Sequence, residues 1–95
     1  MDFIDKYLDE LEVVVHHTSR DSVRAVVEAL LENWREERTV FLIGNGGSAA
    51  TASHMMNDLN KYTVVPGMRR FRALALTDNV PLMTAVGNDL AYSDI

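Results

Sequence analysis

The sequence predicts an α/β fold, with a parallel sheet between helices and a helical hairpin before it. Three observations predict this fold. The chain opens with two stretches whose apolar residues recur at helical spacing, and a short continuous apolar run follows them. A second such run comes after the next helix-like segment. Because a strand, a helix and a strand in this order form a right-handed parallel unit, we expect one small α/β domain in these 95 residues.

The first two predicted helices are amphipathic. Apolar residues fall at spacings of three and four between Ile4 and Val15, and the same period returns between Val23 and Trp34. The first helix should end near His16–Thr18, and Ser19 or Asp21 should cap the second. Each helix carries an apolar stripe that must be covered, either by the rest of the chain or by a neighbouring subunit.

The two predicted strands are short apolar runs. Val40–Ile43 ends at a glycine and is typical of a strand buried on both faces of a sheet, and Arg72–Thr77 has the same character. After the second strand, Asp78 or Asn79 should cap a short helix. Gly87–Asn88 should close that helix.

The segment Gly44–Ser48 joins the first strand to the helix that follows it. In open α/β sheets, ligands bind beyond the carboxyl ends of the strands. Glycines let the backbone approach a ligand closely, and the start of a helix offers unpaired N–H groups to an anion. The pattern therefore favours an anionic or highly polar small molecule.

Other interpretations of this glycine turn remain open. Gly44, Gly46 and Ala49 match the G-x-G-x-x-A dinucleotide pattern, which expects an acidic residue about 20 positions further on. The first acid after the second strand is Asp78, which is late for that role. No lysine follows the glycines, so a P-loop for nucleoside triphosphates is excluded. The turn could also serve close packing of the strand and helix alone.

His54 and Asp58 lie four residues apart in the helix after the glycine turn. This spacing places both side chains on one face, one helical turn apart. Such a pair suits joint metal ligation or a shared substrate contact, and it is also typical of a local surface hydrogen bond.

The charge distribution limits the classes of binding partner that the sequence favours. The net charge is −5. All of it comes from residues 1–38, which contain ten acidic and five basic residues. Such a surface disfavours nucleic acid, whose binding depends on Lys and Arg. The sequence has no cysteine, no long apolar run and an acidic amphipathic start, so we expect a cytoplasmic protein that does not bind membranes.

The combined motifs resemble the sugar isomerase (SIS) domain of the phosphoheptose isomerase family. The resemblance covers the whole chain and rests on GNGGSAA from Gly44, His54, ALTDN from Ala75, and GND from Gly87. It implies an SIS-type, flavodoxin-like sheet of five parallel strands and a homotetramer with active sites at subunit interfaces. Residues 1–38 would then be a helical arm for assembly, and residues 39–95 the first half of the domain, with only two of its strands.

The resemblance also assigns roles to individual residues. Asp58 stands where the family has a glutamate that acts as catalytic base and metal ligand, and His54 matches a zinc-binding histidine. The remaining matched positions would contact the sugar phosphate: Asn45, Gly46, Gly47, Ser48, Asn88 and Asp89.

The implied reaction converts sedoheptulose 7-phosphate into a heptose 7-phosphate through an enediol, with one possible zinc ion per site whose remaining ligands lie outside this chain. Since the family's later phosphate loop, glutamine and histidine have no counterpart here, we expect the chain to be part of a longer protein or to need partners. Alone, it should lack activity. The alternative is a non-catalytic SIS module, either a sugar-phosphate sensor or a scaffold like those that bind the bacterial replication initiator.

Overall fold

The computed structural model describes residues 2–95, which form an α/β arrangement with a two-stranded parallel sheet. No helix within that range is long and apolar enough to span a membrane. The elements follow the predicted order: α1 (Phe3–His17), α2 (Arg20–Arg35), β1 (Thr39–Leu42), α3 (Gly47–Asn57), a π-helical turn (Asp58–Tyr62), β2 (Arg72–Ala75), a 3₁₀ turn (Leu76–Asp78), α4 (Val80–Asp89) and a second 3₁₀ turn (Tyr92–Asp94).

The starts of both N-terminal helices are capped by side chains. The carboxylate of Asp2 accepts a hydrogen bond from the backbone N–H of Asp5 at 2.9 Å, and the hydroxyl of Ser19 accepts one from Ser22 at 3.1 Å. These bonds satisfy N–H groups that have no partner within the helix. Ser19, one of the two predicted caps of α2, is therefore the residue that caps it.

The sheet is parallel, as expected, and one of its faces is covered. β1 and β2 pair from Thr39 opposite Arg72 to Leu42 opposite Ala75. The small core lies between this sheet and α3. Its buried residues are Ala52, Leu59, Ala73 and Ala75.

The other face of the sheet is open, so the prediction of strands buried on both faces is wrong for residues 2–95. Phe41 and Leu74 are register partners and are 61% and 53% exposed, and Ile43 is 73% exposed. Because side chains alternate along a strand, these residues point away from the face that α3 covers. Among residues 2–95, Ile43 lines a cavity with Met83 and Tyr92, whereas Phe41 and Leu74 line none of the cavities described here.

Two predicted boundaries also differ. β2 ends at Ala75 because a 3₁₀ turn begins at Leu76, and α4 continues through Gly87 to Asp89. Asn79 is the residue that caps α4, its side-chain oxygen accepting from Leu82 N–H at 3.1 Å.

Trp34 and Arg69 tie the end of α2 to the loop before β2. The Trp34 indole N–H donates to the carbonyl of Arg69 at 2.9 Å, and the Arg69 guanidinium lies 4.7 Å from the indole centroid. The same guanidinium donates to the carbonyls of Trp34 and Arg35 at the helix end. A cation there also interacts favourably with the negative end of the helix dipole.

We expect Arg69→Ala to lower the free energy of unfolding by about 1–2 kcal/mol, because it removes the stacking contact and the bonds to the helix end. Arg70→Ala, next along the same exposed loop, is the control and should change stability by less than about 0.5 kcal/mol. Urea denaturation of the two variants tests this. Equal losses would contradict the role given to Arg69.

Candidate functional site

The glycine turn (Gly44–Ser48) depends on close packing at its first residue. A Cβ on Gly44 would come within 2.6 Å of the backbone nitrogen of Ala49 and closer still to the carbonyl oxygen of Ser48. Gly46 has a positive φ of 57°, which side-chain-bearing residues rarely adopt. Both glycines are therefore required by the local backbone.

The hydroxyl of Ser48 closes this turn. It accepts a hydrogen bond from the N–H of Asn45 at 2.7 Å and donates one to the carbonyl of Asn45 at 2.9 Å. Within residues 2–95, the N–H groups of Gly46 and Gly47 have no hydrogen-bond partner. These two donors at the start of α3 are the groups best placed to bind an anion.

A cleft of 640 Å³ opens beside the glycine turn, which is within the usual size range of small-molecule sites. The turn forms one wall, and α4 with the C-terminal 3₁₀ turn forms the other. Its lining residues are Gly44, Asn45, Gly46, Ala49, Met83, Thr84, Gly87, Tyr92 and Ile95.

His54 and Asp58 form a hydrogen-bonded pair on α3. The Nδ1 atom of His54 lies 3.1 Å from Oδ2 of Asp58, and the two side chains are 75% and 45% exposed. Asp58 ends α3 and also begins the π-helical turn, an element that often occurs at functional sites. The bond leaves Nε2 of His54 facing away from Asp58 and available to a further group.

This pair fits one side of a zinc site. Imidazole nitrogen and carboxylate oxygen are both common zinc ligands, and catalytic zinc sites take three ligands from protein. No cluster of three or more His, Asp or Glu side chains suited to a metal is found across residues 2–95. Any further ligands would therefore have to come from outside the described residues.

The pair and the cleft lie at different positions along α3. Neither His54 nor Asp58 lines the cleft. From Ser48 to His54 the helix rises about 9 Å, which is comparable with the length of an extended seven-carbon sugar phosphate. The same six-residue step also turns the helix by about 240°, so the pair and the cleft lie on different sides of α3.

Asn88 and Asp89 lie at the end of α4. The side-chain amide of Asn88 donates to the carboxylate of Asp89 at 3.0 Å, and both residues are exposed. Thr84 and Gly87 of the same helix line the cleft, whereas Asn88 and Asp89 do not. The structure thus places this predicted substrate pair near the cleft without bringing it into the cleft wall.

Sequence reasoning missed the contact between Ser53 and Asp78. The hydroxyl of Ser53, on α3, donates to the carboxylate of Asp78, which ends the 3₁₀ turn after β2. The sequence offers Asp78 as a helix cap or as a ribose ligand for a dinucleotide, whereas in the structure its carboxylate joins α3 to the turn that follows β2. An acid directly after a strand was the available signal, but its partner on α3 could not be identified from spacing.

A second cavity, of 360 Å³, lies between α2 and the segment that follows α3. Its walls are almost entirely apolar and include Leu31, Trp34, Leu59 and Phe71. It offers a sugar phosphate few polar partners, so we regard it as a gap in hydrophobic packing.

Comparison with known proteins identifies similar sequences. Residues 2–94 match the SIS domain. The chain is 35% identical over 95 residues to a phosphoheptose isomerase of Syntrophotalea carbinolica, covering 97% of this chain and 48% of that protein. A phosphoheptose isomerase of Clostridium acetobutylicum is 32% identical over 76 residues, covering 79% of this chain and 38% of the relative.

A third similar protein is the lincomycin biosynthesis protein LmbN of Streptomyces lincolnensis, which is 46% identical over 72 residues. This match covers 76% of the chain and 26% of LmbN. The chain therefore spans less than half the length of each of these three relatives.

Proposed function

The chain belongs to the SIS domain family, and from this premise we propose that it binds a sugar phosphate at the glycine turn and serves the aldose–ketose isomerisation of sedoheptulose 7-phosphate. The names of its relatives support an isomerase acting on a phosphorylated sugar. The observation that carries the proposal is the arrangement of α3, which has two free N–H groups at its start and the His54–Asp58 pair further along the same helix.

The arrangement suits the two ends of the substrate. The phosphate is on C7, whereas the reacting carbons are C1 and C2 at the opposite end. The N–H groups of Gly46 and Gly47 would bind an anionic or polar group near the cleft. The carboxylate of Asp58 would then lie toward the reacting carbons.

The chemistry requires a base that moves a proton between C1 and C2 through an enediol. Asp58 is the proposed base, and its hydrogen bond to His54 restricts the orientation of the carboxylate. Its side chain is one methylene shorter than the glutamate typical of the family. Because a displacement of about 1 Å can lower a rate about a hundredfold, we expect proton transfer by this chain to be slow.

A zinc ion at this site would polarise the sugar carbonyl and stabilise negative charge on its oxygen. His54 and Asp58 are the residues of this chain that would hold it, and since Nε2 of His54 faces away from Asp58, joint ligation would use Nδ1 in place of the present hydrogen bond. We propose zinc as a cofactor because imidazole nitrogen and carboxylate oxygen are both common zinc ligands.

The proposal is tested by incubating the purified chain with sedoheptulose 7-phosphate in D₂O, with and without added zinc. Deuterium incorporation at C1, followed by ¹H NMR, reports enediol formation even where complete isomerisation does not occur. This half-reaction needs only a bound sugar and a base, the roles proposed here for the glycine turn and Asp58, so it can be detected in a chain that is not expected to complete the isomerisation. Incorporation above the protein-free rate supports the isomerase, and binding without incorporation contradicts it.

The second candidate function is a non-catalytic SIS module that binds a sugar phosphate or acts as an assembly scaffold. It is favoured by the aspartate in place of glutamate at position 58 and by the exposed α1 stripe. A scaffold has no need of His54 beside a carboxylate, which is why we rank it second. Binding without deuterium incorporation is the result that this candidate expects.

We also propose that α1 assembles copies of this chain, as in the tetramer implied by the family. No residue of α1 is buried, and the helix makes no extensive contact with another element among residues 2–95. Its apolar stripe is nevertheless about half exposed or more, including Tyr7 and Leu8 at 56% each and Leu11 at 48%. A second copy could cover this stripe with its own.

The substitution Leu11→Lys should weaken self-association about tenfold or more, because it places a charge in the stripe. Asp9→Lys, on the opposite side of α1, is the control and should preserve association. Light scattering over a concentration series measures both. A monomeric wild-type chain, or equal weakening by both variants, would contradict assembly through α1.

A further inference from the structure

Two side chains occupy the outer edge of β2. The side-chain amide of Asn60 donates to the carbonyl of Ala73 at 2.9 Å, and its oxygen accepts from the N–H of Ala73 at 3.0 Å. The N–H of Ala75 donates to the sulfur of Met56, with 3.2 Å between nitrogen and sulfur. Because backbone groups alternate in direction along a strand, Ala73 and Ala75 are the residues of β2 that face away from β1. Each of them thus has a side-chain partner where a neighbouring strand would bond.

The spacing of these two side chains matches the spacing of the strand. Met56 and Asn60 are four residues apart, which corresponds to a helical rise of about 6 Å. Ala73 and Ala75 are two residues apart, which is about 6.6 Å along a strand. The partners follow in opposite order because α3 returns antiparallel to the strands. We call Met56 and Asn60 the edge guard, since they bond to β2 in the places where an antiparallel strand would.

Without the edge guard, β2 would be a site for pairing with another strand. Residues 73–76 form an uncharged apolar run, and exposed edges of this composition pair readily with other chains. Neither lysine nor proline, two residues that commonly block a strand edge, occurs in β2. Its one charged residue, Arg72, stands at the first position of the strand. Protection of this edge therefore depends on the side chains bonded to it.

We propose that the edge guard prevents β2 from pairing with the β2 of a second copy of this chain. In an antiparallel pair, Ala73 of one copy would lie opposite Ala75 of the other, which satisfies the outward backbone groups of both strands. The same register brings Arg70 of one copy toward Asp78 of the other, so opposite charges would flank the pair. Loss of the guard should therefore turn this edge into a dimer interface. The inference concerns strand pairing and does not rest on the proposed reaction.

The test uses variants of Asn60 in the Leu11→Lys background, so that association through α1 does not interfere. Sedimentation velocity and amide hydrogen exchange at Ala73 are measured over a concentration series. Asn60→Ala should speed the exchange of Ala73 about tenfold or more at low concentration, because its N–H loses its acceptor. At high concentration the exchange should slow again as dimers form through β2. In the Leu11→Lys parent, Ala73 should be protected at every concentration.

Asn60→Asp separates a guard from a contact that only stabilises the fold. Its carboxylate can accept from the N–H of Ala73 but cannot donate to the carbonyl, and its charge opposes strand pairing, so this variant should stay monomeric. Asn57→Ala, at an exposed position of α3, is the matched control and should behave as the parent does. Met56→Ala is a milder opening, and it should give the same concentration-dependent protection at Ala75.

The proposal is overturned if Asn60→Ala and Met56→Ala both stay monomeric, or if Asn60→Asp dimerises as strongly as Asn60→Ala. It is also overturned if the exchange of Ala73 in Asn60→Ala is the same at every concentration, since dimers would then form elsewhere.

Discussion

Replacing Gly44 by alanine is expected to lower the free energy of unfolding by about 3 kcal/mol and to abolish sugar-phosphate binding at the glycine turn. The new Cβ would overlap the carbonyl of Ser48 and approach the nitrogen of Ala49 to 2.6 Å. Both are backbone atoms, so no side-chain rotation relieves the clash and the start of α3 must move. The free N–H groups would then lose their common orientation.

The neighbouring glycines provide graded controls for this result. Gly47→Ala meets nothing within 4 Å and should change stability by less than about 0.5 kcal/mol. Gly46→Ala also has space, but its φ of 57° and ψ of −119° lie outside the left-handed helical region and should make it about 2 kcal/mol less stable. Urea denaturation measures all three variants. A Gly44→Ala protein as stable as Gly47→Ala would show that the turn is not packed as described.

Replacing Asp58 by asparagine should slow deuterium incorporation into sedoheptulose 7-phosphate by about a hundredfold or more. Asparagine keeps the shape of the side chain, and its oxygen can still accept the hydrogen bond from His54. It cannot take up a proton as a carboxylate can. A loss of rate with unchanged sugar-phosphate affinity would therefore identify the carboxylate as the base.

Asp21→Asn is the matched control for this experiment. Asp21 is an exposed aspartate on α2, paired with Arg24 at 2.9 Å, and lies outside the proposed site. It should leave the exchange rate unchanged. If Asp58→Asn exchanges as fast as the wild type, the proton is moved by another group and the role given to Asp58 is wrong.

Features set by local rules could be predicted from the sequence. Ser19 and Asn79 cap helices because short polar side chains reach the unpaired N–H groups beside them. The helix-to-strand order followed from apolar spacing, and the spacing of His54 and Asp58 predicted neighbours on one helix face. The match to the SIS domain confirms the resemblance that the motifs indicated.

Features that depend on distant residues could not be predicted. The open face of the sheet depends on which elements pack over it, and a continuous apolar run does not reveal this. The bonds from Asn60 to Ala73 and from Ser53 to Asp78 join residues far apart in sequence. The π-helical turn at Asp58–Tyr62 has no distinctive pattern of its own. Whether Asn88 and Asp89 contact a sugar stays a prediction.

The central claim is that the glycine turn binds a sugar phosphate, and an NMR titration with sedoheptulose 7-phosphate tests it most directly. We expect saturable shifts of the backbone amides of Gly46 and Gly47, with smaller changes at His54 and Asp58. Inorganic phosphate should shift the glycine amides alone and bind more weakly. Unshifted glycine amides at saturating sugar phosphate, or shifts confined to the apolar cavity beside α2, would contradict the claim.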